Sequence, residues 1–174
     1  GTNNGWVANT LFGRNSAGFG AALYSASSGV VAVLQSTIAS PTVGAGPAIF
    51  VDTGSVGITD TLVASYTLSI QTNTGTASAD YDQFYNAPTS VNIGSHSITG
   101  AEYQLFIDTA GDNYRPVPGE PGSDHGINLG VSTDLDGTLR RDPPTIGAYE
   151  AEYKPDLQLS KKVAPADDVT YGGI

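Results

Sequence analysis

The chain has no cysteine and no methionine, and only 14% of its 174 residues are charged, against about 25% in an ordinary soluble domain. Without cysteine there is no disulfide, no thiolate metal site and no cysteine nucleophile. With no methionine even at position 1, the sequence reads as a processed product or an excerpt of something longer. Bases are scarce: Lys and Arg number 7 against 17 Asp and Glu, and Arg14 is the single base among the first hundred residues. A formal net charge of −10 repels nucleic acid and anionic membranes. No apolar run approaches the length of a membrane span. No Asn-x-Ser/Thr acceptor occurs, although the abundant Ser and Thr leave room for O-linked sugar.

What is present instead is small. The 22 glycines and the scarcity of Leu, Lys and Glu disfavour long helices. The length suffices for one domain with a real core. Three segments of the first half line up: "VANTLF" at 7–12, "LQSTIA" at 34–39 and "ITDTLV" at 58–63. Their threonines, Thr10, Thr37 and Thr61, stand in the same place, and Val7/Leu34/Ile58 and Leu11/Ile38/Leu62 match as apolar positions. A second set, "AALY", "PAIFV" and "YTLSI", follows them in turn, with Gly, Ser, Asn and Pro between. Short strands recurring at intervals of about 25 residues describe the coils of a β-solenoid. Alternation then predicts an aliphatic ladder inside and a Thr10/Thr37/Thr61 ladder outside. An antiparallel sandwich also has short strands and Gly-rich turns; the recurrence favours the solenoid.

"FIDTAGDNYRPVPGEPGSDHG", from Phe106 to Gly126, and the following "STDLDGTLRRDPPTIGAYEAEY" carry a resemblance. They resemble the C-terminal part of bacterial right-handed parallel β-helix surface proteins of the choice-of-anchor Q type. Asp108, Asp112, Tyr114, Arg115, Gly119 and Pro121 match that family's first closing motif. Asp134, Asp136, Gly137, Arg140, Ile146, Gly147, Ala148, Tyr149 and Glu150 match its second. "GEPGSDHG" departs from the family's "GSPAIDAG". The resemblance implies coils over 1–105, a closing coil and irregular cap over 106–153, and an extended tail over 154–174. The tail's "LQLSKKVAP" is similar to the opening strand of the Ig-like repeats that follow such β-helices. The expected fold is thus all-β, a right-handed parallel β-helix with an irregular C-terminal cap and a tail. A solenoid leaves an open apolar end and unpaired edges, so the rigid, charged stretch Thr133 to Glu150 is expected to lie across that end. Arg140 or Arg141 should pair with Asp134, Asp136 or Glu150, with Ile146 and Tyr149 turned inward.

Candidate chemistry is thin. Asp134 and Asp136 in "DLDG" offer hard oxygen ligands for calcium, but the further ligands of a full loop are missing, and a turn whose Asp side chains bond backbone amides is the simpler account. His96 and His125 sit in no hydrolase motif. Asp80 and Asp82 are the close carboxylate pair in the coils, and an i, i+2 pair on one strand face could cooperate in glycoside hydrolysis; an edge or turn segment is the plainer reading. The aromatic residues Trp6, Phe12, Phe19, Tyr24, Tyr66, Tyr81, Phe84 and Tyr85 are either core or a row for stacking on sugar. No catalytic, cofactor-binding or metal residue is assigned. The sequence predicts a non-catalytic, extracellular or cell-surface structural module, with a glycan-binding or adhesive module and a carbohydrate-active enzyme as rivals. Its expected partners are further copies of itself, joined end to end through the solenoid ends and the tail into a fibre, and a surface glycan; nucleic acid and membrane insertion are not expected.

Overall fold

A computed structural model describes residues 4–152. Among these residues there is no helix. The strands are β1 (Gly5–Ala8), β2 (Leu11–Gly13), β3 (Leu23–Ser25), β4 (Val30–Leu34), β5 (Thr37–Val51), β6 (Ser55–Thr59), β7 (Leu62–Thr72), β8 (Thr76–Asp80), β9 (Gln83–Tyr85), β10 (Ile98–Gly100), β11 (Phe106–Asp108) and β12 (Asn113–Pro116). One sheet runs β1-β4-β6-β8; the other runs β10-β9-β7-β5-β2, with β3 also on β5. Every pairing within these two sheets is parallel. Strands that pair in parallel across short connections can do so only by winding, and the result is a β-solenoid of about three turns.

The coils repeat as the sequence predicts, but the register of the second coil differs by one residue. Val7 pairs with Val33, and Val33 with Ile58. Leu11 pairs with Thr37, and Thr37 with Leu62. Hence Ser36, not Thr37, stands level with Thr10 and Thr61, and the matching segments are "VANTLF", "VLQSTI", "ITDTLV" and "ADYDQF". The reason lies at the corner that joins the two sheets. Asn9, Gln35, Asp60 and Tyr81 occupy it in successive coils, each in the left-handed region at φ of 51°, 43°, 56° and 61°. That conformation costs a non-glycine residue about 1–2 kcal/mol. The hydroxyl just after the corner compensates: Thr10, Ser36 and Thr61 donate to the carbonyl two residues back, at 2.8, 2.8 and 3.3 Å. Register is set by this bend rather than by threonine identity. The hydroxyl ladder therefore bridges the corner instead of lining an outer face.

The lumen is aliphatic. Val33, Ile38, Ile49, Val56, Ile58, Val63, Ile70 and Phe84 form one buried cluster. Gly29, Gly54 and Gly75 immediately precede the paired Val30, Ser55 and Thr76 at another corner. At Gly54 the requirement is strict: φ is 77°, and a Cβ would lie 2.0 Å from the Ser27 carbonyl oxygen.

The C-terminal stretch does not lie across the end of the solenoid. It runs up the flank, over the outer face of the second sheet. The Thr133 carbonyl accepts a hydrogen bond from Asn9 in the first coil. Ala148 N–H donates to Thr37 Oγ1 in the second, and Gly147 N–H to the Asp60 carbonyl in the third. Glu120 meets Gln83 in the fourth. Ala39, Leu62 and Ala64 point outward from the sheet and are buried with Leu105, Phe106, Tyr114 and Ile146 in a second core. A sheet covered on both faces explains the near-continuous apolar, small-residue runs of its strands. The flank, where Ala39, Leu62 and Ala64 point outward, takes the covering that the sequence reading assigned to the end. The expected pairings within the cap hold: Arg140 and Arg141 both meet Glu150, and Ile146 and Tyr149 are buried. The tail over 154–174, with its expected Ig-like strand and docking role, lies outside the described residues, as does residue 153 of the cap.

Candidate functional site

The carboxylates singled out in the sequence are parted by the corner. Tyr81, left-handed between them, sends Asp80 and Asp82 to different environments rather than to one face. Asp82 is fully buried, and its Oδ1 accepts the Thr61 N–H at 2.8 Å. Burial holds its pKa well above the usual carboxylate range, with Asp60 and Asp80 adding to the rise and the Thr61 bond opposing it. Asp80 is exposed and meets His96 Nδ1 at 3.0 Å; that contact lowers its pKa. The His96 ring stacks on Tyr81 at 4.3 Å between centroids. His125 contacts the Ser123 carbonyl at the surface. Asp134 Oδ1 accepts the amides of Asp136 and Thr138, and its Oδ2 that of Glu150. Asp136 holds Arg115 through two hydrogen bonds. The "DLDG" oxygens thus serve as a turn and a clasp.

Two features remain that sequence reading did not assemble. The first is the seam between coils and cap. Asp60 is fully buried beside Gln35, Arg140 and Gly126, and neither of its carboxylate oxygens has a hydrogen-bond partner among the described residues. Burial pushes its pKa up to about 8, helped by Glu150; the Gln35 amide, Arg140 and the Ile127 amide draw it part of the way back. Glu120 is also buried and shifted upward by burial, while Gln83, Gly122 and Ser123 bond to it. A polar cleft of about 400 Å³ opens beside Gln35, bounded by Ser132, Leu139 and Arg140.

The second is a shelf of rings on the third leg of the coil, where β3 pairs with the end of β5 and that with the end of β7. Tyr24, Phe50 and Gln71 stand in register on β3, β5 and β7. Tyr24 and Phe50 stack in parallel, 9° apart with centroids 5.6 Å apart. Phe19, from the preceding loop, meets Phe50 edge-on at 5.0 Å. Phe50 is buried by these neighbours, whereas Phe19 and Tyr24 remain 61% and 51% exposed. Asp52 lies beside them: Tyr24 Oη donates to its Oδ2 at 3.2 Å, and Asn73 Nδ2 to its Oδ1 at 2.8 Å. Desolvation and the Asp52 bond both raise the Tyr24 pKa, so its proton stays in place. Together these residues line an open cleft of about 420 Å³.

The other aromatic candidates separate cleanly. Phe12, Tyr66 and Phe84 belong to the lumen, Tyr85 packs edge-on against Tyr103, and Trp6 is 74% exposed on β1, away from the shelf. Phe50 escaped the sequence reading because it looks like a core residue of "PAIFV". Aligning that segment with "AALY" at the observed register puts it under Tyr24.

The chain matches no protein-family model, no curated protein and no solved structure.

Proposed function

We propose that this chain is a non-catalytic solenoid module of an extracellular or cell-surface protein, of the choice-of-anchor Q β-helix type, whose task is to hold surfaces at fixed positions on a stiff support. One observation carries this reading. The residues through which the sequence resembles that family hold the cap together and pin it to the coils. Within the cap Asp134 holds three backbone amides, Arg115 holds Asp136 and Arg140 holds Glu150, while Arg140, Gly147 and Ala148 donate to Asn9, the Asp60 carbonyl and Thr37 of the coils. Groups engaged in this way serve rigidity. The tail's similarity to the first strand of an Ig-like repeat fits a place in a chain of modules. End-to-end self-association belongs to the same reading, because β1 stands at the edge of its sheet and an exposed edge is a template for a further strand.

The test is incubation of the protein with a panel of polysaccharides, with chromatography of the products, alongside electron microscopy of the purified chain. Intact polysaccharide and short rods or end-to-end strings are expected. Oligosaccharide release that Asp82→Asn abolishes overturns the non-catalytic reading; compact, non-associating particles overturn the self-association.

A further inference from the structure

We propose that the ring shelf formed by Phe19, Tyr24 and Phe50, with Asp52, Gln71 and Asn73 beside it, is a binding site for a neutral oligosaccharide chain. The proposal goes beyond the supporting role described above and shares with it only the absence of chemistry on the bound sugar.

Three observations on the shelf point the same way. The first is an aromatic surface left uncovered. Phe19 and Tyr24 are both more than half exposed, yet their geometry is fixed: Phe50 is clamped between them, and all three sit on or beside paired strands. Rigid rings offer a flat apolar face at little loss of side-chain freedom. The C–H face of a pyranose ring is complementary to such a surface, and an amphipathic ligand suits rings bordered by polar groups.

The second is the kind of polar group at that border. Ligand sites combine apolar walls with a few convergent polar groups that fix orientation. Asp52 accepts from Tyr24 and Asn73 and stays at the rim of the cleft, with lone pairs left for sugar hydroxyls. Gln71 continues the Tyr24–Phe50 column, and its amide makes no side-chain hydrogen bond among the described residues. A primary amide donates and accepts together, as a pair of vicinal hydroxyls does. A purely apolar occupant, such as an acyl chain or an aliphatic peptide face, would desolvate the Asp52 carboxylate against the two bonds it already accepts and leave the Gln71 amide without a partner.

The third is charge. Among the described residues the cleft is lined by one carboxylate and no Lys or Arg, within a chain of net charge −10. Uronates, sialylated glycans and phosphorylated headgroups would meet repulsion with no compensating cation. The occupant is therefore a neutral sugar chain. The cleft's volume, about 420 Å³, falls within the usual range for small-ligand sites, about 300–1,000 Å³. Its open form suits a chain that passes over it rather than a monosaccharide enclosed within it.

The experiment is titration calorimetry of the whole chain with neutral hexaoses of glucose, mannose and N-acetylglucosamine, with oligogalacturonate and with phosphatidylcholine vesicles. Binding of at least one neutral hexaose and of neither comparison ligand is expected. Tyr24→Ala and Gln71→Ala should each weaken that binding about tenfold or more, while Trp6→Ala, an exposed ring away from the shelf, should leave it unchanged. Thermal melts should show all three variants folded, with Tyr24→Ala somewhat lower than the parent because it uncovers Phe50. Binding of oligogalacturonate or vesicles alone, binding unaffected by both shelf variants, or no binding to any neutral hexaose overturns the proposal. Chromatography of the same mixtures keeps the two readings apart: released fragments overturn the non-catalytic role, whatever the shelf variants do to affinity.

Discussion

Asp60→Asn should stabilise the protein strongly at pH 8, much less at pH 5, and leave it nearly unchanged below pH 3.8. The carboxyl group stands at a solenoid corner, beneath the cap and, among the described residues, without a hydrogen-bond partner on either oxygen. Its pKa is raised from 3.8 to about 8, chiefly by burial. The groups that face it are Arg140 and Glu150 from the cap, Gln35 from the coil before and Asp82 from the coil after. Below pH 3.8 both folded and unfolded chains hold the proton, so the group makes its full contribution to stability there. Between that pH and about 8 the folded state holds a proton that the unfolded state has released, and stability falls as pH rises. Each unit is worth about 1.4 kcal/mol, so three units, from pH 5 to 8, amount to roughly 4 kcal/mol. Asparagine has the shape of the protonated acid and does not titrate, which removes this loss. At about 2–4 °C per kcal/mol for a chain of this size, the variant should melt on the order of 10 °C higher than the parent at pH 8. Glu120 takes no contribution from Asp60 and cancels between the two proteins, whereas Asp82 is coupled to Asp60, so the difference reports Asp60 together with that coupling. Circular dichroism melts at half-unit steps of pH provide the measurement. A parent whose Tm is flat from pH 5 to 8, together with a variant no more stable at pH 8, refutes the assignment of a neutral buried acid.

Two further substitutions test the frame. Gly54→Ala forces a Cβ to 2.0 Å from the Ser27 carbonyl oxygen at φ of 77° and should cost more than about 2 kcal/mol in a urea titration; a change below 0.5 kcal/mol would refute the close corner. Glu150→Gln leaves the buried Arg140 without its anion and should cost about 3 kcal/mol at pH 5. Because Glu150 raises the Asp60 pKa and Arg140 lowers it, the same change should cost less at pH 8, where Arg140 gains Asp60 as a partner; equal losses at both pH values would refute that coupling.

The coils were legible in the sequence, and the reason is local. Each repeat carries its own bend: a residue that tolerates positive φ, then a hydroxyl, then a β-branched or aliphatic run. Asn9-Thr10, Gln35-Ser36 and Asp60-Thr61 are three such pairs. The misplacement of the second coil by one residue has the same root. "QST" contains two hydroxyl residues, and matching by threonine selects Thr37. In the structure it is Ser36 whose hydroxyl reaches the Leu34 carbonyl, while Thr37 faces the cap and accepts the Ala148 amide. Thr37 does face outward, level with Leu11 and Leu62, and is buried because the cap covers that face.

The seam and the ring shelf were not legible, because neither is written in any one segment. Asp60 reads as an ordinary turn residue until Gly126, 66 positions later, is laid against it. Its burial follows from the cap's lateral path, and that path follows from where apolar surface remains once the lumen is filled. Leu62 and Ala64 alternate outward from the second sheet and need a cover, whereas the outward positions of the third leg include Tyr24, Phe50 and Gln71, which no described residue of the cap reaches. The cap's motif residues say that a clasp exists; only packing decides which flank it closes. The leg left uncovered is the one that carries exposed rings beside free polar groups. In a solenoid all flanks share one backbone pattern, so a flank that remains uncovered and aromatic, rather than small and polar, is where a ligand is to be sought.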